Sequence, residues 1–377
     1  MSNTISADLI RTVHMAADTV AREQTGLLAS VYKNIEPVRV RLGHEAVYPI
    51  TTPAVAQDVT KGTYSAYSTE VKSDKMIVTR NREVPVEWDG NDQLKIGTDY
   101  QRVVQQQFEQ AMRTLRNEQE ADLASSYIYA SRAYGTPGTV PFATINDYTA
   151  ATYAKTILLD NGAPESGCKM VINNIAAANL IGKQSAVDSA GSADPLRRGV
   201  LLDIDDMQIR RSGQIKTHTK GTGAGYLVND ATDVAVGDTE IVLDTGTGIV
   251  LPGDIVNFAA AGTHNYVVGT GVAAPGTIVL NNPGAVQAIA DDAAMTIGDS
   301  YKANMVFHEM AIHFVNRLIP MPAEGDAAID SYLVTDIDNQ VMFEIRKYVY
   351  KGIVQYFVSS AWGWKVVKGE WLALLMS

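Results

Sequence analysis

His308 and His313, within His308-Glu309-Met310-Ala311-Ile312-His313, stand closest to a metal-hydrolase pattern in this chain. Zinc chemistry of that kind needs two imidazoles at i and i+4 on one helical face, with a glutamate as general base. Here the offset is five, which swings the second ring away from the metal on a helix. On a strand, which the flanking residues favour, an odd offset puts the rings on opposite faces. Both histidines therefore read as structural, and no metal site is expected.

Asp244-Thr245-Gly246-Thr247, preceded by Ile241-Val242-Leu243, is a sharper match to known chemistry, because aspartic-type hydrolases place a catalytic Asp in an apolar strand before Thr-Gly. Two such carboxylates must share a proton. With one copy present, Asp244 would act only in a homodimer that also supplied a flap. The same residues suit a plain hairpin turn, since their types tolerate positive φ, and the turn is the expectation. Gly221-Thr222-Gly223-Ala224-Gly225 lacks the Gly-Lys-Ser/Thr ending of a phosphate loop, has no convincing helix after it, and reads as a flexible junction. No Gly-X-Ser-X-Gly elbow with matching His and Asp is evident. Cys168, the only cysteine, excludes an intrachain disulfide and a multi-cysteine metal site and reads as a small buried apolar residue. No catalytic, cofactor-binding or metal-binding residue is assigned, no cofactor is expected, and the chain is not expected to be an enzyme.

With no site to position, the elements themselves become informative. Apolar residues at Leu9, Val13, Ala16, Ala17, Val20 and Leu27 predict a helical arm from Ile5 to about Val31, broken by Gly26. A Thr-, Pro- and Gly-rich stretch over Tyr48–Thr63 then leads into a predicted long hairpin. Its return strand alternates Val84, Val86 and Trp88 against Pro85, Glu87 and Asp89, with the charged stretch Glu70–Arg82 between the strands. A hairpin with so little apolar surface needs something to lie on. Thr98-Asp99-Tyr100-Gln101 reads as a capping box, followed by a stripe at Tyr100, Val104, Phe108, Ala111, Met112 and Leu115 that resumes at Ala124, Tyr127 and Ile128. With a stop at Gly135 and Pro137, this predicts a strut helix of about 50 Å, with a kink or a partly solvated face at Asn117-Glu118-Gln119-Glu120.

Further on, Ile145–Leu159 and Ile175–Lys183 predict helices around a buried strand at Lys169–Ile172, and Ser185–Arg198 reads as a loop. From about residue 221 to 298 the chain turns dense in Gly, Ala, Val and Asp. Short β-prone runs there, Glu240–Leu243, Asp254–Phe258, Asn265–Val268 and Thr277–Leu280, predict a small all-β module inserted into an α/β body. Asn304–Pro320 and Ser331–Ser377 predict further strands, with turns at Lys351-Gly352 and Lys368-Gly369.

The 377 residues carry 31 Lys plus Arg against 42 Asp plus Glu, a formal net charge of -11, and no window gathers the cations of a nucleic-acid footprint. Only weak contact with DNA is expected. The first 24 residues have charges spread through them and no small-residue cleavage site, so export is not expected. No apolar stretch reaches membrane-spanning length, and no membrane partner is expected.

Three motifs sharpen the order of elements. Ser212-Gly213-Gln214-Ile215-Lys216-Thr217-His218-Thr219-Lys220-Gly221-Thr222 precedes the β-rich segment, Leu251-Pro252-Gly253-Asp254-Ile255-Val256 lies within it, and Asn304-Met305-Val306-Phe307-His308-Glu309-Met310-Ala311-Ile312 follows it. With these motifs the chain resembles the tailed-bacteriophage major capsid proteins, in the branch whose coat protein carries an inserted β domain. The likeness runs over nearly the whole chain, strongest from Ile209 to Arg317 and weakest over Val187–Asp206.

The resemblance implies an α+β capsid fold divided into an N-terminal arm (1–47), an extended hairpin loop with peripheral strands (48–97), a spine helix (98–137), an axial α/β domain (138–220), an inserted β domain (221–298) and return strands (299–377). It also implies self-association into hexamers and pentamers of an icosahedral head shell, a scaffolding protein and a portal as partners, assembly in the host cytoplasm, and residence in the virion. Gly43, Gly62, Gly90 and Gly97 would serve as adaptable joints around the hairpin. A cellular nanocompartment of the same fold is the near variant, and the inserted module favours the phage.

Overall fold

The computed structural model describes residues 12–17, 26–51, 71–144, 148–186, 203–259, 261–336 and 340–377. The last third of the chain builds a six-stranded sheet ordered β1 (Tyr32–Arg39), β16 (Ile312–Leu318), β19 (Ile353–Val366), β18 (Val341–Tyr350) and β17 (Asp330–Asp336), with β4 (Arg80–Asp89) also paired to β19. The 14 residues of β19 are enough to pair with β18 through Ser359 and then with β16 from Ala361, while β4 follows its opposite edge over Ile353–Trp362. The predicted turn at Lys351-Gly352 joins β18 to β19, with Gly352 at φ 80°.

Between β4 and the spine comes α1 (Gly90–Ile96), whose N-cap Asp89 accepts from the Asp92 amide. Helix α2 (Tyr100–Ala124) lies across β4 and β19, burying Val104, Phe108, Ala111, Met112, Leu115 and Ala124 as their spacing predicts, and Leu123 besides. Trp88 Nε1 donates to Gln107 Oε1 at 2.8 Å, Trp362 Nε1 donates to Asp122 at 3.0 Å, and the Phe108 ring meets Tyr356 edge-on at 5.4 Å.

The helix runs unbroken through Asn117–Glu120, and this interruption is solvated only in its first half, at Asn117 and Glu118. Gln119 and Glu120 are 0% and 2% exposed because each has a partner in the core. Gln119 Nε2 donates to Ser360 Oγ at 3.2 Å, and the Glu120 carboxylate accepts the Leu27 and Leu28 amides at 2.8 and 2.7 Å. Leu27 and Leu28 are themselves fully buried, so the carboxylate satisfies two amides that no strand or helix serves.

The structure corrects three expectations in this half. The spine helix ends at Ala124 and tightens into a 3-10 turn over Ser125–Tyr129, after which Arg132–Tyr134 form a strand. Its length is about 37 Å rather than 50. Sheet pairing of residues 132–134 wins over the apolar spacing that suggested more helix. At the other end, Gly97–Asp99 already form a 3-10 turn continuous with α1, so Thr98 does not stand in the extended conformation that a capping box requires. The hairpin is built by β2 (Glu45–Thr51) and β3 (Val71–Ile77), whereas Val84–Trp88 belong to the body sheet. The charged stretch lies mostly in the return strand itself, and the tip, residues 52–70, falls outside the described residues together with Gly62. The arm is described as helix only over residues 12–17.

The second sheet has twelve strands. Its main path runs β7 (Gln208–Arg211), β6 (Cys168–Ile172), β15 (Tyr301–His308), β20 (Leu372–Met376), β5 (Arg132–Tyr134), β12 (Asn265–Thr270), β13 (Gly276–Leu280), β10 (Glu240–Asp244) and β9 (Leu227–Val228). Off this path, β8 (Thr217–His218) joins β15, β11 (Ile255–Phe258) joins β12, and β14 (Met295–Ile297) joins β11. Every residue of β20 is buried, the continuous apolar run expected of a central strand. Helices α3 (Thr149–Asp160) and α4 (Asn174–Ala186) contribute Ala151, Leu158, Ala177 and Leu180 to a second core with Met170, Ile172 and Val306. The loop expected over Ser185–Arg198 lies almost wholly outside the described residues.

Between Gly221 and Gly298 the described residues form strands, isolated bridges and turns, and they enclose a third core containing Tyr226, Ile241, Val256, Phe258, Tyr266 and Ile278. Replacing Glu120 with Ala is expected to lower unfolding free energy by about 3 kcal/mol, from two charge-assisted bonds lost and two buried amides orphaned. Equilibrium urea unfolding measures it, and a change below ~1 kcal/mol would contradict the assigned role.

Candidate functional site

The three sequence motifs converge on two buried polar junctions. At the first, Asp254 sits in the turn before β11 and is fully buried. Its carboxylate accepts the Gly221 amide at 3.0 Å and the Leu251 amide at 2.7 Å, and lies 2.8 Å from His218 Nε2. With two amides already donating to it, Asp254 acts as acceptor toward His218 Nε2, and the Tyr127 hydroxyl lies 2.9 Å from His218 Nδ1. Tyr301 closes the cluster by donating to the Gly253 carbonyl at 2.7 Å, and burial pushes its phenol well above the usual range.

Two glycines make this packing possible. A Cβ on Gly221 would stand 2.2 Å from the Ile249 carbonyl oxygen, and one on Gly253, at φ 92°, would crowd the His218 and Tyr127 rings at 3.1 Å. The Gly221–Gly225 stretch is therefore a close-packed strap at its start, not the flexible junction expected. Tyr127-His218-Asp254 has the order of a hydroxyl, base and carboxylate chain, but His218 is 5% exposed and Asp254 0%, so the chain works as a pin. It ties the end of the spine, strand β8 and the β-rich segment together.

The second junction is Asn304, also fully buried. Its Oδ1 accepts the Asn173 amide at 2.7 Å, and its Nδ2 donates to the Leu375 carbonyl at 2.9 Å and to Ser377 Oγ at 3.2 Å. One side chain thus fixes the approach to α4, strand β15 and the end of β20.

The residues singled out for chemistry do not assemble into a reactive site. His308 ends β15 and His313 lies in β16, on opposite sides of a 3-10 turn at Glu309–Ala311, so they occupy two sheets rather than one strand. Burial lowers the pKa of each below the usual imidazole value. His308 Nδ1 accepts the Met310 amide at 3.2 Å, and His313 packs against Tyr32 and Tyr48. Asp244 ends β10, which pairs with β9 and β13, so the turn that follows is not a hairpin. Thr245 does take φ 54°, and Gly246 lies so close to Tyr226 that a Cβ would meet its ring at 2.2 Å. The Asp-Thr-Gly pattern here meets a packing demand. Cys168 is buried, which raises its thiol pKa.

A third feature stands outside both sheets. The β2–β3 ribbon is rooted at Asp74, whose carboxylate binds Lys365 Nζ at 2.6 Å, the Tyr48 hydroxyl at 2.8 Å and the Lys75 amide at 2.7 Å. Met76 and Val78 pack with Val315 and Ala361 at the root, while Val47 and Ile77 stay 59% and 44% exposed. Partial burial would raise the Asp74 pKa, but Lys365, the Lys75 amide and Tyr48 outweigh it and hold the carboxyl below its ordinary value.

No family model and no curated protein matches the sequence. Solved structures do match. The capsid structure of cyanophage P-SCSP1u aligns with a TM-score of 0.50 at 12% identity, covering 94% of this chain and 88% of that one. The fold is that of a tailed-phage capsid protein. A structure from Mycobacterium phage Che8 aligns at 0.45 and 13% identity (88% and 84% covered), and the virus-like particle from Pyrococcus furiosus at 0.45 and 8% (97% and 99%).

Within this capsid fold, the pin and the Asn304 junction went unassigned in the sequence. Their one legible signal was a polar residue inside an otherwise apolar motif. Asp254→Ala is expected to cost about 3 kcal/mol by leaving two amides and an imidazole unpaired, and Tyr127→Phe about 1. Equal losses in chemical denaturation would show that the carboxylate is not the centre of the pin. At the ribbon, Lys365→Met is expected to speed amide exchange in residues 71–77 at least tenfold at neutral pH. Because the Asp74 pKa is depressed, its contribution is present above the ordinary carboxylate pKa and lost as pH falls through the lowered one, so wild type and variant should converge in acid.

Proposed function

We propose that this chain is the shell subunit of a tailed-phage head, self-associating around the packaged genome and catalysing no reaction. The observation that carries this reading is the capsid fold over 94% of the chain, together with a ribbon whose one face the subunit covers at the root and whose other face, with Val47 and Ile77, it leaves uncovered. An uncovered ribbon with Val47 and Ile77 exposed is costly for a lone monomer and is accounted for when a neighbouring subunit covers it. Wrapping contacts of this kind bury more area than flat edges do.

In this reading the subunits form hexamers and pentamers of an icosahedral shell in the virion, assembled in the host cytoplasm with a scaffolding protein and joined to a portal. Residues 1–47 serve as arm, 48–97 as extended loop and peripheral strands, and 98–137 as the spine region. Residues 138–220 and 299–377 build the axial and peripheral body. Residues 221–298 are taken as an inserted β domain, a division supported by their separate core and by the Asp254 pin at their root. No cofactor takes part. Among the described residues no helix is long and apolar enough to cross a membrane, and no membrane partner is included.

Negative-stain electron microscopy of the chain, expressed alone and with the reading frames that flank its own, tests the proposal. Closed shells, or uniform sheets and tubes, are expected. A persistent small monomer or dimer under both conditions would overturn it. Asp244→Asn is expected to assemble as the wild type does.

A further inference from the structure

The fold gathers cations that the sequence keeps far apart. Lys169 on β6 and Arg210 on β7 share one face of two parallel strands, because Lys169 is paired with Gln208 and Val171 with Arg210. Residues two apart along a strand point the same way, so the two cations are diagonal neighbours. The incoming N-terminal chain is laid on that face. A Cβ on Gly26 would stand 2.6 Å from Val171 Cγ1 and 2.7 Å from the Arg211 carbonyl oxygen. From there the chain turns into β1, and its second residue, Lys33, stands within electrostatic reach of Arg210 and Lys169.

The charges around this patch do not balance. Burial, followed by repulsion from Arg210 and then Lys169, lowers the Lys33 pKa to about 8. Glu120 and Asp336 are near enough to oppose that shift, but Glu120 is held by the Leu27 and Leu28 amides and Asp336 faces the buried Arg116 at 3.7 Å. Glu309 pairs with Lys169 at 3.0 Å. The Arg210 guanidinium is steadied by a neutral group, Gln208 Oε1, at 3.1 and 3.2 Å. All three side chains keep partial access to solvent. Partly desolvated like charges repel, and an oxyanion entering among them relieves the repulsion.

We propose that Lys33, Lys169 and Arg210 form a binding site for the phosphodiester backbone of the nucleic acid held inside the shell, an inference that rests on the shell reading. The distribution of charge favours this ligand. Residues 221–298 hold eight Asp and Glu and no Lys or Arg, so a polyanion is repelled there and must be met by the body, which carries all 31 cations. Ammonium groups supply point charges and Arg210 a planar fork, both suited to phosphate oxygens. A small patch of this kind gives weak, sequence-independent adhesion.

The test is fluorescence anisotropy of a labelled duplex DNA with the full-length chain, across a sodium chloride series at concentrations below assembly. Lys33→Gln and Arg210→Gln are each expected to weaken binding about tenfold at low salt. Each should also reduce the steepness of log K against log salt by about 0.9, the loss of one phosphate contact. Lys33→Arg should restore both, and Lys351→Gln, in an exposed turn, should change neither. Matching thermal melts guard against unfolding. Unchanged affinity and slope in both Gln variants overturn the site.

Particles scored by electron microscopy separate the two readings. Shells with unaltered DNA binding defeat the site alone, whereas DNA binding lost as expected without any shell supports the site and defeats the shell. If Lys33→Glu abolishes shells formed without nucleic acid and leaves DNA binding intact, the patch receives carboxylates of a second copy and the phosphodiester assignment fails.

Discussion

Buried backbone amides that no ladder serves must find acceptors, and the architecture depends on a few side chains placed where segments cross. Glu120 serves Leu27 and Leu28, Asp254 serves Gly221 and Leu251, Asn304 serves Asn173, and Asn316 serves Met342. An amide left unpaired in a core costs about as much as a large fraction of a domain's net stability. Each of these polar groups is therefore conditional on the crossing it serves, and each crossing on its polar group.

These acceptors also define how the parts communicate. Asp254 and His218 join the β-rich segment to β15 through β8, and Tyr127 carries the connection to the end of the spine. The spine in turn lies on β4 and β19, and β19 carries Lys365, which holds the ribbon at Asp74. A displacement of the ribbon root and a displacement of the β-rich segment thus act on one shared scaffold.

Charge is divided just as unevenly. The β-rich segment is anionic throughout, the body is close to balanced, and the fold brings Lys33, at the start of β1, within electrostatic reach of Lys169 on β6 and Arg210 on β7. Net charge alone hides this, since a chain at -11 can still present a cationic patch when strands from distant parts of the sequence meet.

Periodicity by itself determined the elements whose stabilisation is local: the inward stripe of α2 from Val104 to Leu115, the helices α3 and α4, the buried strand at Cys168–Ile172, and the short strands between Glu240 and Leu280. Only tertiary structure decided where pairing overrides spacing. The spine stops at Ala124 because Arg132–Tyr134 are claimed by β20 and β12, and the ribbon closes at Val71–Ile77 because Arg80–Asp89 pair with β19 over Ile353–Trp362. The same holds for the junctions. A glutamate in a helix stripe or an aspartate after Pro-Gly looks like a solvated residue until a partner from far along the chain arrives, because a buried charge is stabilised by its partner's geometry and not by its own neighbours in sequence.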